Sequence, residues 1–585
     1  MTFKKLSEYF EELEKTSSRL KITEILANLF KEAEEDEIGK ICYLSLGRLL
    51  PQYEGLEFQM AEKMLVRAVA KAFGIEDQAV QKQYKKEGDL GVVAEELKAR
   101  GYKGAQVQSL FGEPKKQILS VGEVYKRLME IAKEKGEGSV DRKITKMAAL
   151  LTEIEALAVR FVVRIPLGKL RLGFSEMTLL DGLSWMGKGD KSLRPELEGA
   201  FNVVADIGKI AETFKKSGEK GIKEIKVTLG VPILSALAQR LPTVEEMVEK
   251  MGEVVVEPKY DGTRLQVHFG RSIGGVRVFT RNLENVTHMF PEIVEAVKKE
   301  VKAEEIIFDS EGVGVDPKTG GYLPFQETIK RKRKYGIEDK AKEIPLKCYL
   351  FDVLYKDGKS LISEPLRKRR EILEKAIEHK ANTLVLSPQI ITSDPEEIRA
   401  FHQEQIERGL EGAMIKKADS AYEPGRRGFT WVKFKQEETK KGGGLADTLD
   451  CVIMGTYRGK GKRAGFGVGA FLVGVKKDDV FVTVSKIGTG LSDEQWREVY
   501  KRTENKALKT EEKPEEYSVD KNLYPDTWVK PEIVVEIQAD NITESPIHTA
   551  GLALRFPRLV RFRDDKTQNQ ATTLRETEKL FELQK

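Results

Sequence analysis

Apolar and polar positions repeat with two different periods along this chain, and the change of period divides it. From Phe3 to about residue 220 the spacing is helical: Leu6, Tyr9, Phe10 and Leu13 form one stripe, and Ile25, Leu29 and Phe30 form another beyond Thr23, which reads as a helix start signal. Strand-like runs are nearly absent there. The texture changes around residues 225–250, and from there to about 437 short apolar runs alternate with helical stretches. Val254-Val255-Val256 reads as a buried strand. Beyond it Leu265, Val267 and Phe269 alternate with Arg264, Gln266 and His268, the period-two pattern of a half-buried strand.

The stretch 436–444, polar and rich in lysine and glycine, reads as a hinge or linker. Past it come short strands at Cys451–Met454, Phe471–Val473, Phe481–Val484 and Ile533–Ile537, the early ones separated by glycines, as in a small barrel of the OB type. The pattern therefore predicts a multidomain protein: an all-α domain over 1–224, an α+β domain over 225–437 and a β-barrel domain over 438–585.

Composition narrows the partners less than the pattern does. At 585 residues the chain is too long for one core. Its 99 Lys and Arg against 94 Asp and Glu leave only +5, so nucleic-acid binding must be sought in local clusters. Two clusters stand out. Arg164, Lys169 and Arg171 are interleaved with small residues in the loop up to Gly173, where cations and backbone amides would both reach phosphates unless the loop is merely solvated. Lys330 to Lys334 is an unbroken basic run that reads as a solvated or phosphate-facing surface. Cys42, Cys348 and Cys451 have neither metal-ligand nor disulfide spacing, which suits a reducing cytosol. With no signal-peptide core and no apolar run of membrane-spanning length, the expected location is cytoplasmic, with no membrane partner.

The candidate chemistry begins at Glu257-Pro258-Lys259-Tyr260-Asp261-Gly262-Thr263-Arg264, where a lysine lies between a strand and a glycine turn. A surface ammonium is inert, and a nucleophilic lysine needs surroundings that free its lone pair. An ordinary turn lysine explains Lys-x-Asp-Gly equally well when it is taken alone. Residues downstream weigh against the turn. Arg281 ends one strand, and Asp309-Ser310-Glu311-Gly312 ends another, with Ile307, Asp309 and Glu311 on one face. Phe351 lies in a further apolar strand, Glu411-Gly412-Ala413-Met414-Ile415-Lys416 comes after it, and Trp431-Val432-Lys433-Phe434-Lys435 puts two lysines on one strand face.

That order of motifs resembles the covalent nucleotidyltransferases. The C-terminal Ala553 to Lys566, with Arg555-Phe556-Pro557-Arg558, resembles the last motif of ATP-dependent DNA ligases, and the helical first third is similar to the DNA-binding domain of their archaeal and eukaryotic replicative members. The resemblance implies a helical DNA-binding domain, an adenylation domain and an OB-fold domain that together seal nicks in double-stranded DNA for replication, repair and recombination. It implies that Lys259 carries AMP, with ATP and Mg2+ as cofactors. Glu257, Arg264, Arg281, Arg427, Lys433 and Lys435 match nucleotide contacts, Phe351 the adenine-stacking aromatic, and Arg558 and Lys566 contacts to the leaving pyrophosphate. Glu311 and Glu411 match positions tied to ribose and metal. A monomer, and the replication sliding clamp as a protein partner, are further expectations from the family. Thr280-Arg281-Asn282 departs from a commoner Ser-Arg-Arg and Asp309-Ser310-Glu311-Gly312 from a Glu-Gly-Glu type, which leaves the roles of Asn282 and Asp309 open. Capping enzymes and RNA ligases share Lys-x-Asp-Gly, and a non-catalytic DNA-end scaffold would share the fold. The helical third and the Arg-Phe-Pro-Arg ending favour a DNA ligase over the former, and the intact charged set speaks against the latter.

Overall fold

Side-chain caps and amphipathic stripes set the helices of the first third in the computed structural model. Thr2, Ser18, Asp89 and Ser120 each accept a backbone N–H at a helix start, and Ser120 with Glu123 forms a full capping box. Among the described residues twelve α-helices run from Phe3–Glu14 to Ile207–Lys223, and their apolar faces meet in one core. The start expected at Thr23 is displaced. Thr23 lies inside the helix Arg19–Glu32, where its hydroxyl donates to the Arg19 carbonyl at 2.9 Å, and Ser18 is the cap. The structure describes residues 1–585 except 17, 103–117, 169, 171, 242, 324, 334–335, 379–380, 436–446, 460–465, 506 and 584–585, and the side chains of 325, 326 and 427. The hinge expected at 436–444, and Lys169, Arg171 and Lys334, fall outside the described residues.

Both basic clusters turn out to be partly internal. Arg164 is 1% exposed and donates to Asp89 at 2.7 and 3.2 Å while pairing with Glu14 at 3.0 Å, so it braces three helices and faces no phosphate. Arg331 is fully buried, pairs with Glu292 and lies over the Phe290 ring. A buried guanidinium needs partners on its planar fork, and these acidic partners are distant in sequence.

Two compact units divide the chain, Met1–Phe434 and Lys435–Lys585. Among the described residues the first unit holds these twelve helices, further helices between its strands, and two sheets. In chain order its strands are β1 (Leu237–Gln239), β2 (Val254–Pro258), β3 (Thr263–Gly270), β4 (Gly275–Thr280), β5 (Ile306–Gly314), β6 (Leu346–Lys356), β7 (Lys359–Ser360), β8 (Leu384–Leu386), β9 (Ile390–Thr392), β10 (Gly412–Lys417) and β11 (Arg427–Lys435). One sheet has the order β1-β11-β10-β2-β9; the other runs β4-β3-β5-β6-β7, with β8 added beside β6. Ile307, Phe351, Leu354, Tyr422 and Trp431 form an apolar cluster with members from both sheets, while the opposite face of the second sheet packs Leu265, Val267, Phe308 and Leu350 against helices. Helices and sheets are joined directly: the Leu234 N–H donates to the Asn202 carbonyl at 2.8 Å, and the Tyr53 ring meets Phe279 edge-on with its hydroxyl on Asp206 at 3.0 Å.

In the second unit the expected strands form around β12 (Leu449–Arg458), β13 (Val468–Lys477) and β14 (Val480–Ile487), with Val534–Gln538 paired between β12 and Arg558–Phe562. Register shifts in β12, β13 and β14 curl the sheet around a core of Leu449, Phe471, Val484 and Val535. No helix among the described residues is long and apolar enough to cross a membrane.

Candidate active site

Lys259 comes directly after β2, and the backbone holds it against the start of β10. Its N–H donates to the Gly412 carbonyl at 2.9 Å, and the Glu411 N–H donates back to the Lys259 carbonyl at 3.2 Å. These two bonds place the side chains at the ends of two neighbouring strands, and the Lys259 ammonium pairs with the Glu411 carboxylate. Gly412 is required at this contact. Its φ is 134°, and a Cβ there would fall 2.3 Å from the Phe434 carbonyl oxygen.

The second sheet supplies the facing groups. Arg264 and Glu311 are register partners on β3 and β5. Glu311 lies in the field of Lys259, Arg264, Asp261 and Glu411; burial raises its carboxyl to about 7 against the opposing pull of Arg264 and Lys259. Phe351 on β6 is 7% exposed, with the Arg264 guanidinium 4.5 Å and the Lys416 ammonium 4.4 Å from its ring centroid. Trp431 stands edge-on to Phe351. Glu257 is buried on β2, and its Oε2 accepts from Lys416 Nζ at 2.5 Å. Glu257 pairs directly with Met414 in the ladder, so Lys416, two residues on, shares its face.

The expected half-buried character of β3 is overturned, because its polar face is also covered. Gln266 and His268 are 4% and 0% exposed, roofed by the segment that leads into β1. The Gly230 N–H donates to His268 Nδ1 at 3.0 Å, which leaves the proton on Nε2 to donate to Gln266 Oε1 at 3.1 Å. Gln266 Oε1 also accepts the Ile233 N–H, and its Nε2 donates to Asp309 Oδ1 at 3.1 Å. Asp309 Oδ2 accepts from Arg264 at 2.6 Å and from the Tyr422 hydroxyl at 2.7 Å. Burial lowers His268 to about 3, in keeping with a neutral ring.

The structure thus brings Glu257, Lys259, Arg264, Glu311, Phe351 and Glu411 around one region, while Arg281 is exposed in the turn after β4. Lys433 and Lys435 are half-buried on β11, and the side chain of Arg427 lies outside the described residues. Arg558 and Lys566 belong to the second unit, where Arg558 pairs with Asp540 and Lys566 with Asp450 at 2.5 Å. Sequence reasoning gave no role to Lys416, Tyr422 or Trp431 and left Asp309 open. A signal for Lys416 existed: period two sets it on the face of Met414, across from a strand that carries a carboxylate. Among the described residues no three His, Cys, Asp or Glu side chains converge as a ready-made metal cage.

Three family models match the chain in order: DNA ligase N terminus over 2–184, ATP dependent DNA ligase domain over 235–435, and ATP dependent DNA ligase C terminal region over 464–566. A probable DNA ligase of Dictyoglomus turgidum is 44% identical over 100% of this chain and 98% of its own length. DNA ligase 2 of Thermofilum pendens is 40% identical over 99% and 97%, and the DNA ligase of Sulfurisphaera tokodaii 38% over 100% and 98%. A solved structure described as Pmar-Lig_Pre is similar in fold, with a TM-score of 0.54 over 96% of this chain and 99% of its own, at 18% identity. The chain belongs to the ATP-dependent DNA ligase family, whose members seal nicks in duplex DNA through an adenylate intermediate.

Proposed function

We propose that Lys259 is the residue adenylated in this ligase and that Glu311 and Glu411 are its acidic partners. The observation that carries the reading is the pairing of Lys259 with Glu411 at the end of two hydrogen-bonded strands, with Glu311 and Arg264 facing them. Glu411 is placed to take a proton from the Lys259 ammonium, so that the amine attacks the α-phosphorus of ATP and the bond to pyrophosphate breaks. The 5′-phosphate at a nick then attacks the lysyl-AMP phosphorus, which frees Lys259 and leaves an adenylated 5′ end. Attack of the 3′-hydroxyl on the 5′-phosphate forms the phosphodiester and expels AMP. All three are phosphoryl transfers, in which the protein aligns groups and offsets charge.

Arg264 is fixed by Asp309, which the Tyr422 hydroxyl holds in turn, so its cation is pre-set for nucleotide charge, and Lys433 and Lys435 add two cations on β11 for the α-phosphate. Arg558 and Lys566 fit the leaving pyrophosphate by charge. Among the described residues no three His, Cys, Asp or Glu side chains form a ready-made cage, which suits Mg2+, an ion held by one or two carboxylates together with substrate phosphates. Glu311 and Glu411 would hold that ion, which when bound supplies positive charge against the phosphates. The helical part serves as a backbone-directed DNA clamp, and the enzyme works in the cytoplasm.

The test is Lys259→Ala. The variant is expected to fold and to retain no labelled AMP after denaturation, whereas wild type retains it; label persisting on the variant would refute the assignment.

A further inference from the structure

Two buried polar atoms of opposite sense face each other beside the Phe351 region, and neither has a hydrogen-bond partner. They are Glu257 Oε1, an acceptor on β2, and Arg370 Nη1, a donor on the helix Leu366–Ala376; they lie 3.9 Å apart, near enough for ionic attraction and too far for a hydrogen bond. Every other polar atom of the pair is engaged. Glu257 Oε2 is taken by Lys416, Arg370 Nε by Glu374 at 2.8 Å and Arg370 Nη2 by the Ser387 carbonyl at 2.8 Å. Those bonds fix both groups in place. Buried groups left unmatched are costly, so an acceptor and a donor held side by side and unpaired point to a ligand edge that matches both.

We infer that Arg370 is a base-specificity residue of this ligase: with Glu257 it reads the edge of the adenine ring, Glu257 Oε1 accepting from the 6-amino group and Arg370 Nη1 donating to N1. This rests on the reading that places the base of ATP against Phe351. Guanine and hypoxanthine present the reverse pattern, an acceptor at position 6 and a donor at N1, so both contacts fail at once and like polar groups are set against each other. Lys416 is a positioning residue. Its ammonium, wedged 4.4 Å from the Phe351 centroid and 4.3 Å from that of Trp431, holds the second oxygen of Glu257 and turns the first toward the base. Selection by unmatched buried polar groups is stronger than selection by shape alone, because the wrong base leaves a desolvated charge without a partner.

The experiment uses full-length protein and 1-deazaadenosine triphosphate, which keeps the 6-amino group and replaces N1 with C–H. For wild type, kcat/KM for covalent enzyme-AMP formation is expected to be about 10- to 100-fold lower with the analogue than with ATP, the range for one hydrogen bond to a charged group. Arg370→Met is expected to lower the ATP value by a similar factor and to bring the ratio of the two triphosphates close to one, while Arg370→Lys keeps part of it. Electronic effects of the analogue on stacking act equally on both proteins and cancel in this comparison. The inference is overturned if Arg370→Met keeps the wild-type ratio. It is also overturned if wild type uses the two triphosphates equally, a result that needs no variant to fold. Phe351→Ala separates the two levels: unimpaired use of ATP by that variant would remove the underlying placement of the base, whereas impaired use together with an unchanged Arg370→Met ratio would remove this inference alone.

Discussion

Glu311→Gln should stabilise the metal-free protein above neutral pH. In the fold the Glu311 carboxyl titrates at about 7, against an ordinary value of 4.5, first because burial penalises its charge and despite the nearby Arg264 and Lys259. A group that holds its proton more tightly when folded stabilises the native state less as pH rises. The penalty is absent below pH 4.5, grows through the interval and is complete above about 7. The full interval corresponds to about 3 kcal/mol. Glu311 keeps part of its surface in solvent, which reduces the expected gain to roughly 1–2 kcal/mol. Glutamine has nearly the same shape and no charge, so the variant should lack the penalty. Thermal unfolding in EDTA at pH 8 should place the variant roughly 1–2 °C above wild type, the shift for a unit the size of Met1–Phe434, and the curves should converge near pH 4.5. Saturating Mg2+ should narrow the gap at pH 8 by stabilising wild type. A gap independent of pH, or wild type the more stable at pH 8, would refute the account of a carboxyl strained by burial.

Three other perturbations test separate parts of the structure. Gly412→Ala forces a Cβ against the Phe434 carbonyl at φ 134°, so it should cost about 2–4 kcal/mol and displace Glu411, seen as at least a tenfold slower covalent AMP uptake under conditions where the variant stays folded. Arg369→Met strands the buried Asp352 carboxylate, which Arg369 now holds at 2.7 and 2.9 Å, and should cost about 3–5 kcal/mol in urea unfolding; adding Asp352→Leu should recover part of it. Nick binding should fall steeply with salt, linear in log–log form and by about a thousandfold or more between 50 and 200 mM if six or more phosphates are neutralised; a flat dependence would count against backbone-directed binding.

What the sequence disclosed and what it hid differ by the range of the interaction. The Lys259 segment was legible because the residues that define it are contiguous and its companions recur at strand ends in a fixed order. Strand positions were legible for the same reason: period two at β5 placed Ile307, Asp309 and Glu311 on one face, and the structure has Ile307 in the intersheet cluster and Asp309 bonded to Arg264. The misreadings share one cause. Alternation at β3 shows that two faces differ, but not that residues 227–236 cover the polar one. Arg164 resembled a phosphate ligand beside small residues because its partners, Asp89 and Glu14, lie 75 or more positions away. Glu257 and Lys416 meet across 159 positions, a distance at which only the pairing of β2 with β10 brings them together.

The chain of polar groups behind β3 has a direction, and the backbone of Gly230 and Ile233 sets it. Because Gly230 donates to His268, the imidazole passes its hydrogen toward Gln266, the amide passes its two toward the Ile233 carbonyl and Asp309, and the carboxylate receives from Gln266, Arg264 and Tyr422. A protonated imidazole would put a second donor against the Gly230 N–H and break the sequence at its first link. The orientation of the Arg264 guanidinium is therefore specified by polarity as well as by packing. The segment ahead of β1, which contributes no charge of its own to this chain of bonds, acts as the reference terminal from which the arginine beside the nucleophile takes its alignment.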